Sequence, residues 1–101
     1  MQQVTLKKTS PVLEFVLTGE IDSKNADEFG EEILAAYKAT PADIIFDCEK
    51  LDFIDSTTLG TFVKVLKHVR EGGNAMKLIK IQPRIKKLFV ICALDAIMEI
   101  E

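Results

Sequence analysis

The feature that most constrains this chain is the stretch from Ile44 to Val69, where one kind of apolar pattern gives way to another. Ile44-Ile45-Phe46 is apolar without alternation, as in a strand buried on both faces. Leu51, Phe53 and Ile54 then lead to Asp55-Ser56. Beyond Ser56 the apolar residues recur at Leu59, Phe62, Val63, Leu66 and Val69, the spacing of an amphipathic helix. Asp55 and Ser56 stand where an oxygen-bearing side chain accepts from the first free helix N–H groups. Lys67, His68 and Arg70 suit the negative end of the helix dipole, and Gly72-Gly73 stop the helix. This places Ser56 at a helix N-terminus, after a buried strand, with its hydroxyl near solvent. Taken alone, such a serine is a helix cap.

The flanking elements follow the same rules. Val4–Leu6 and Val12–Thr18 read as strands paired in a hairpin, with Leu13, Phe15 and Leu17 on one side. Gly19-Glu20-Ile21-Asp22 ends the second strand. Ser23 or Asn25 caps a first helix, and Asn25 with Glu28 has the form of a capping box. Ala26, Phe29, Ile33, Leu34 and Tyr37 form its apolar face, and Thr40-Pro41 closes it. After the second helix, Gly72-Gly73-Asn74 is a turn and Ala75–Ile81 a strand. Pro83 opens a third helix whose apolar face is Ile85, Leu88, Phe89 and Cys92, with Arg84, Lys86 and Lys87 on its solvated side. Ile97–Ile100 is the last strand. The fold class is therefore α/β, in the order β-β-α-β-α-β-α-β, with a central mixed, mostly parallel sheet packed against helices. Residues 1–101 suffice for one domain with one core. Functional groups of such sheets collect at the carboxyl ends of strands, where Ser56 and Asp22 both fall.

Several functional classes are disfavoured. The net charge is −3, and no basic cluster interleaves with aromatics, so nucleic acid is not the expected partner. The longest apolar segment, Leu88–Leu94, is too short to span a bilayer, and the first residues lead directly into strand-like sequence. The expectation is a cytoplasmic protein without a membrane partner. Cys48 and Cys92 lie apart in apolar contexts, without metal-binding spacing, and are expected as small core residues, with no metal and no cofactor. The only histidine, His68, lies twelve residues along the helix from Ser56, about 18 Å at the rise of an α-helix. That is too far to serve as its base, and no enzymatic activity is expected.

Two local signatures then coincide with the element order. G-E-I-D (Gly19–Asp22) ends the second strand and D-S-T-T-L-G (Asp55–Gly60) opens the second helix. Together they resemble the STAS domain family, most closely the stand-alone bacterial anti-sigma-factor antagonists, and the resemblance covers essentially the whole chain. It implies that Ser56 is phosphorylated by a partner that is both anti-sigma factor and serine kinase. It further implies that the unmodified form binds that partner and releases the sigma factor, and that a PP2C-type phosphatase resets the modified form. Asp22, Asp55, Ser56, Thr57, Thr58 and Gly60 match the partner-binding positions. Where the family often has Ser-Gly after the phosphorylated serine, this chain has Thr57-Thr58, and Thr57 is an alternative acceptor. Many relatives also continue into a terminal helix, whereas this sequence stops just after its last strand. A non-switching STAS subunit, in a transporter or stress-signalling assembly, is the alternative that the resemblance leaves open.

Overall fold

A computed structural model describes residues 3–101. Its elements are β1 (Val4–Lys8), β2 (Leu13–Ile21), α1 (Ala26–Ala39), β3 (Ile44–Ile54), α2 (Ser56–Glu71), β4 (Met76–Ile79), α3 (Pro83–Ile91), a 3-10 turn (Leu94–Ala96) and β5 (Glu99–Ile100). The five strands lie in the order β1-β2-β3-β4-β5. The β1–β2 pair is antiparallel and the other pairs are parallel. The expected mixed, mostly parallel sheet is thus observed.

Every crossover from β2 onward steps the same way along the sheet. Right-handed crossovers of that kind put their helices on one face, and the aromatic core shows that they do. Phe62 of α2 lies 5.3 Å from Phe29 of α1, 5.4 Å from Phe46 of β3 and 5.5 Å from Phe89 of α3, between ring centroids. Leu13, Phe15 and Leu17 are buried on that face, while Glu14 and Val16 on the other are only partly covered. On the helix-free face, Lys7 pairs with Glu14 and Lys80 with Asp47.

The strands differ greatly in reach. β1 and β4 flank only the lower part of the sheet, β1 meeting Glu14–Leu17 and β4 meeting Ile44–Asp47. Above a last bond from the Thr18 N–H to the Gln3 carbonyl (2.9 Å), β2 and β3 continue alone, pairing from Gly19 with Leu51 to Ile21 with Ile54. This two-stranded ribbon is longer than the sequence suggests, because Gly19 does not end β2. Gly19 takes a positive φ of 71° and the strand passes on through an irregularity beside it, a conformation that an L residue resists. On the side that β4 leaves open, Gln82 Nε2 donates to the carbonyls of Glu49 (3.4 Å) and Leu51 (3.0 Å), and Arg84 donates to that of Asp52.

Other local expectations need correction. Asn25 stands at the N-cap of α1 but makes no side-chain cap bond. Its amide oxygen accepts from the Asp22 N–H (2.9 Å) and its amide nitrogen donates to the Glu20 carbonyl (3.0 Å), so it stitches the turn together instead. On α2 the buried set includes Val65, whereas Val63 is only half-buried. β4 stops at Ile79. α3 is short, with Ile85 and Phe89 as its buried residues, and Cys92 falls just past its end. Cys48 is buried as expected, but Cys92 is exposed. Burial, with the charge of Asp47 beside it, pushes the Cys48 thiol up to about 12, so it stays protonated and inert.

Candidate functional site

The ribbon delivers its two ends side by side. β2 runs into the turn at Asp22 and β3 into the start of α2. Asp22 shapes its own turn: its carbonyl accepts from Asn25 and Ala26 N–H groups, and Oδ1 accepts from the Lys24 N–H at 2.9 Å. The Asp22 side chain therefore organises the entry to α1.

Asp55, not Ser56, caps α2. Its Oδ1 accepts from the Thr58 N–H (3.1 Å), and Thr58 Oγ1 reaches back toward the Asp55 N–H (3.4 Å), so the pair forms a capping box. The other oxygen, Oδ2, accepts from the Ser23 N–H at 2.9 Å. One carboxylate thus clamps the β2–α1 turn to the start of α2. Burial opposes ionisation of Asp55. The N–H groups of Thr58 and Ser23, the Thr58 hydroxyl and the Thr57 N–H outweigh it, and hold the pKa below the ordinary carboxylate value. A carboxyl depressed in the folded state stabilises above its unfolded pKa and loses that contribution as pH falls through the folded value. We expect the Ser23 and Thr58 amides to lose hydrogen-exchange protection as pH drops below about 4, followed by NMR. The amide of Leu59, bonded instead to the Asp55 carbonyl, should lose less.

Relieved of capping, Ser56 occupies the first position of α2 and is exposed, as is Thr57. Neither hydroxyl has a hydrogen-bond partner among the described residues. Gly60, one helical turn from Ser56, is exposed as well. Thr58 is placed differently from Ser56 and Thr57. It is fully buried, and its hydroxyl donates to the Ile21 carbonyl at the end of β2. Its side chain fastens α2 to the ribbon, which is why a threonine suits this position.

The sequence also left Phe53 unassigned to the surface. Leu51 and Ile54 are buried, but Phe53, between them and only three residues before Ser56, is 46% exposed. Parity could not have revealed this, because the register of β2 against β3 shifts twice along the ribbon. A shallow cleft of about 620 Å³ borders the same end, with Glu20, Asp22, Asp52 and Lys24 among its walls. Among the described residues no group of three or more His, Cys, Asp or Glu side chains is arranged to hold a metal. No helix among them is long and apolar enough to cross a membrane.

A family model described as the STAS domain matches residues 3–101. This chain belongs to the STAS domain family. An anti-sigma-B factor antagonist of Bacillus subtilis (strain 168) is 30% identical over 97 residues, covering 96% of this chain and 88% of the relative. The fold of this STAS domain is matched by an anti-sigma factor antagonist from Mycobacterium paratuberculosis, with a TM-score of 0.84 at 16% identity, over 96% of this chain and 82% of the other. It is matched also by the Bacillus cell fate determinant SpoIIAA in its phosphorylated form, with a TM-score of 0.75 at 21% identity, over 97% and 90%. STAS relatives of this kind are named for regulation rather than catalysis.

Proposed function

We propose that this STAS domain is an anti-sigma-factor antagonist whose unmodified form binds an anti-sigma factor that is also a serine kinase, and that phosphorylation of Ser56 ends the binding. The observation that carries the reading is the division of labour at α2: Asp55 caps the helix, leaving the Ser56 hydroxyl exposed at its first position. A phosphate there adds roughly −1.5 to −2 charges. It would sit at the positive end of the helix dipole on an exposed side chain that makes no bond the fold relies on, so the fold tolerates it. The consequence falls on whatever surface covers Ser56, through bulk, charge and desolvation. The partner surface is made of Asp22, Asp55, Ser56, Thr57 and Gly60, with Phe53 added. A PP2C-type phosphatase restores the active form, and the cycle runs in the cytoplasm without a catalytic role for this chain.

Gly60 supports this assignment. A Cβ built on it meets nothing within 4 Å, whereas one on Gly30 would come 2.8 Å from Thr61 Cγ2, and one on Gly72 would collide with the Tyr37 ring. Packing within the chain explains Gly30 and Gly72 but not Gly60, which weakens an exposed helix by about 0.5–1 kcal/mol relative to alanine. A partner that approaches the bare backbone accounts for it. Gly60→Ala is expected to raise thermal stability and to weaken partner binding, two readouts that a structural role would move together.

The decisive experiment uses the purified anti-sigma factor kinase of the same organism, ATP, and calorimetry. Wild type and Ser56→Ala should bind equally, with only the former becoming phosphorylated; Ser56→Glu should bind at least tenfold more weakly, about 1.4 kcal/mol. Thr57→Ala should still be modified. Equal affinity of all forms would make this chain a constitutive STAS scaffold instead.

A further inference from the structure

The charge of this acidic protein is strongly segregated. Residues 75–94 hold five lysines and arginines and no acid, leaving eight cations against sixteen anions in the rest of the chain. Lys77 and Lys80 within that stretch are paired with Glu99 and Asp47 at 3.5 and 3.8 Å. Arg84 reaches only a neutral carbonyl. Lys86 and Lys87, on α3, make no ion pair among the described residues.

The same element carries three of the six large apolar side chains that folding leaves exposed among the described residues. Ile91 is 69% exposed, Val90 47% and Leu88 36%, and Ile97, behind the 3-10 turn, is 37% exposed. With Ile85 and Phe89 directed into the core, the remaining positions of the helix interleave cations and aliphatic side chains around its outer surface. Asp95, exposed in the 3-10 turn, is the one acid within this stretch from Pro83 to Ile97.

We propose that this outer edge, α3 with the turn that follows it, docks reversibly on an anionic lipid surface. The intermixing of lysine with exposed aliphatics favours lipid over a protein partner. A protein interface desolvates what it covers and is depleted in lysine at its core. At a lipid headgroup layer, by contrast, the aliphatic side chains enter while lysine ammonium groups stay hydrated beside phosphates. The net negative charge of the protein does not prevent this, because charges more than about 8 Å away are screened at physiological salt. The sequence alone suggests no membrane partner, since its longest apolar segment is too short to span a bilayer. The exposure of Leu88, Val90 and Ile91 is what alters that expectation. The inference does not depend on Ser56.

The test is co-sedimentation of the full chain with vesicles of mixed phosphatidylglycerol and phosphatidylcholine, against vesicles of phosphatidylcholine alone, at low and physiological salt. The wild type should partition onto the anionic vesicles only, and less as salt rises. The double change Lys86→Gln/Lys87→Gln should lower partitioning roughly 30-fold. Ile91→Asp, at a site too exposed to threaten folding, should lower it about tenfold or more. Lys64→Gln/Lys67→Gln, the same charge change on α2, should have little effect. Failure of the wild type to bind, or equal losses from the α2 pair, would overturn the proposal. So would sedimentation velocity showing a dimer dissolved by Ile91→Asp, which would assign the patch to a second copy of the chain.

Discussion

Replacing Phe62 by alanine is expected to cost about 3–5 kcal/mol of folding free energy. The side chain is fully buried and its ring is in contact with rings from α1, β3 and α3 at once. Truncation removes the transfer energy of a whole aromatic side chain and leaves a cavity bounded by three elements that cannot all close on it. Edge and tilted ring contacts add about 0.5–1.5 kcal/mol per pair beyond area alone. Domains of this size have about 5–15 kcal/mol in total, so the variant should be marginal. At about 4–8 °C per kcal/mol, the melting temperature should fall by at least about 12 °C. Phe53→Ala, at a half-exposed ring outside this cluster, is the control and should cost under about 1 kcal/mol. Urea unfolding of both proteins checks the contrast; similar losses would show that the aromatic cluster is not the centre of the core.

Thr58→Val is expected to cost about 1–3 kcal/mol. Valine keeps the shape, and only the hydroxyl is lost. Without it the Ile21 carbonyl at the end of β2 has no donor from α2, and the Asp55 N–H loses its half of the capping box. Both groups lie where water enters poorly, so the unpaired carbonyl bears its desolvation cost. Thr58→Ser, which retains the hydroxyl, should recover most of the loss. Equal stability of the valine variant would mean that the bond between α2 and the ribbon contributes little.

The sequence makes the order of elements legible because its periods change cleanly, from the apolar run at Ile44–Phe46 to the helical spacing that begins at Leu59. The position of Ser56 is equally legible, since Asp55-Ser56 precede that change. What escapes is whatever depends on register and on neighbours distant in the chain. Nothing local shows that Gly19 continues a strand, that Thr58 reaches Ile21, or that Phe53 turns outward. Each depends on the pairing of β2 with β3, its two shifts and the side-by-side ends at Ile21 and Ile54. The exposure of Cys92 was hidden for a different reason. Its helical spacing is right, but α3 ends one residue earlier, and Ala93 follows with a φ of 59°.

The projecting ribbon has a kinetic consequence. Two strands without further neighbours are marginal in isolation, so residues 19–21 and 50–54 depend for their order on the buried side chains of Ile21, Leu51 and Ile54 and on the bonds made by Gln82, Arg84, Asp55 and Thr58, rather than on a continuous sheet. Openings of this tip should therefore be more frequent than global unfolding, in the manner of a separate cooperative unit. The segment that leads into Ser56 would then open while the aromatic core below it stays shut.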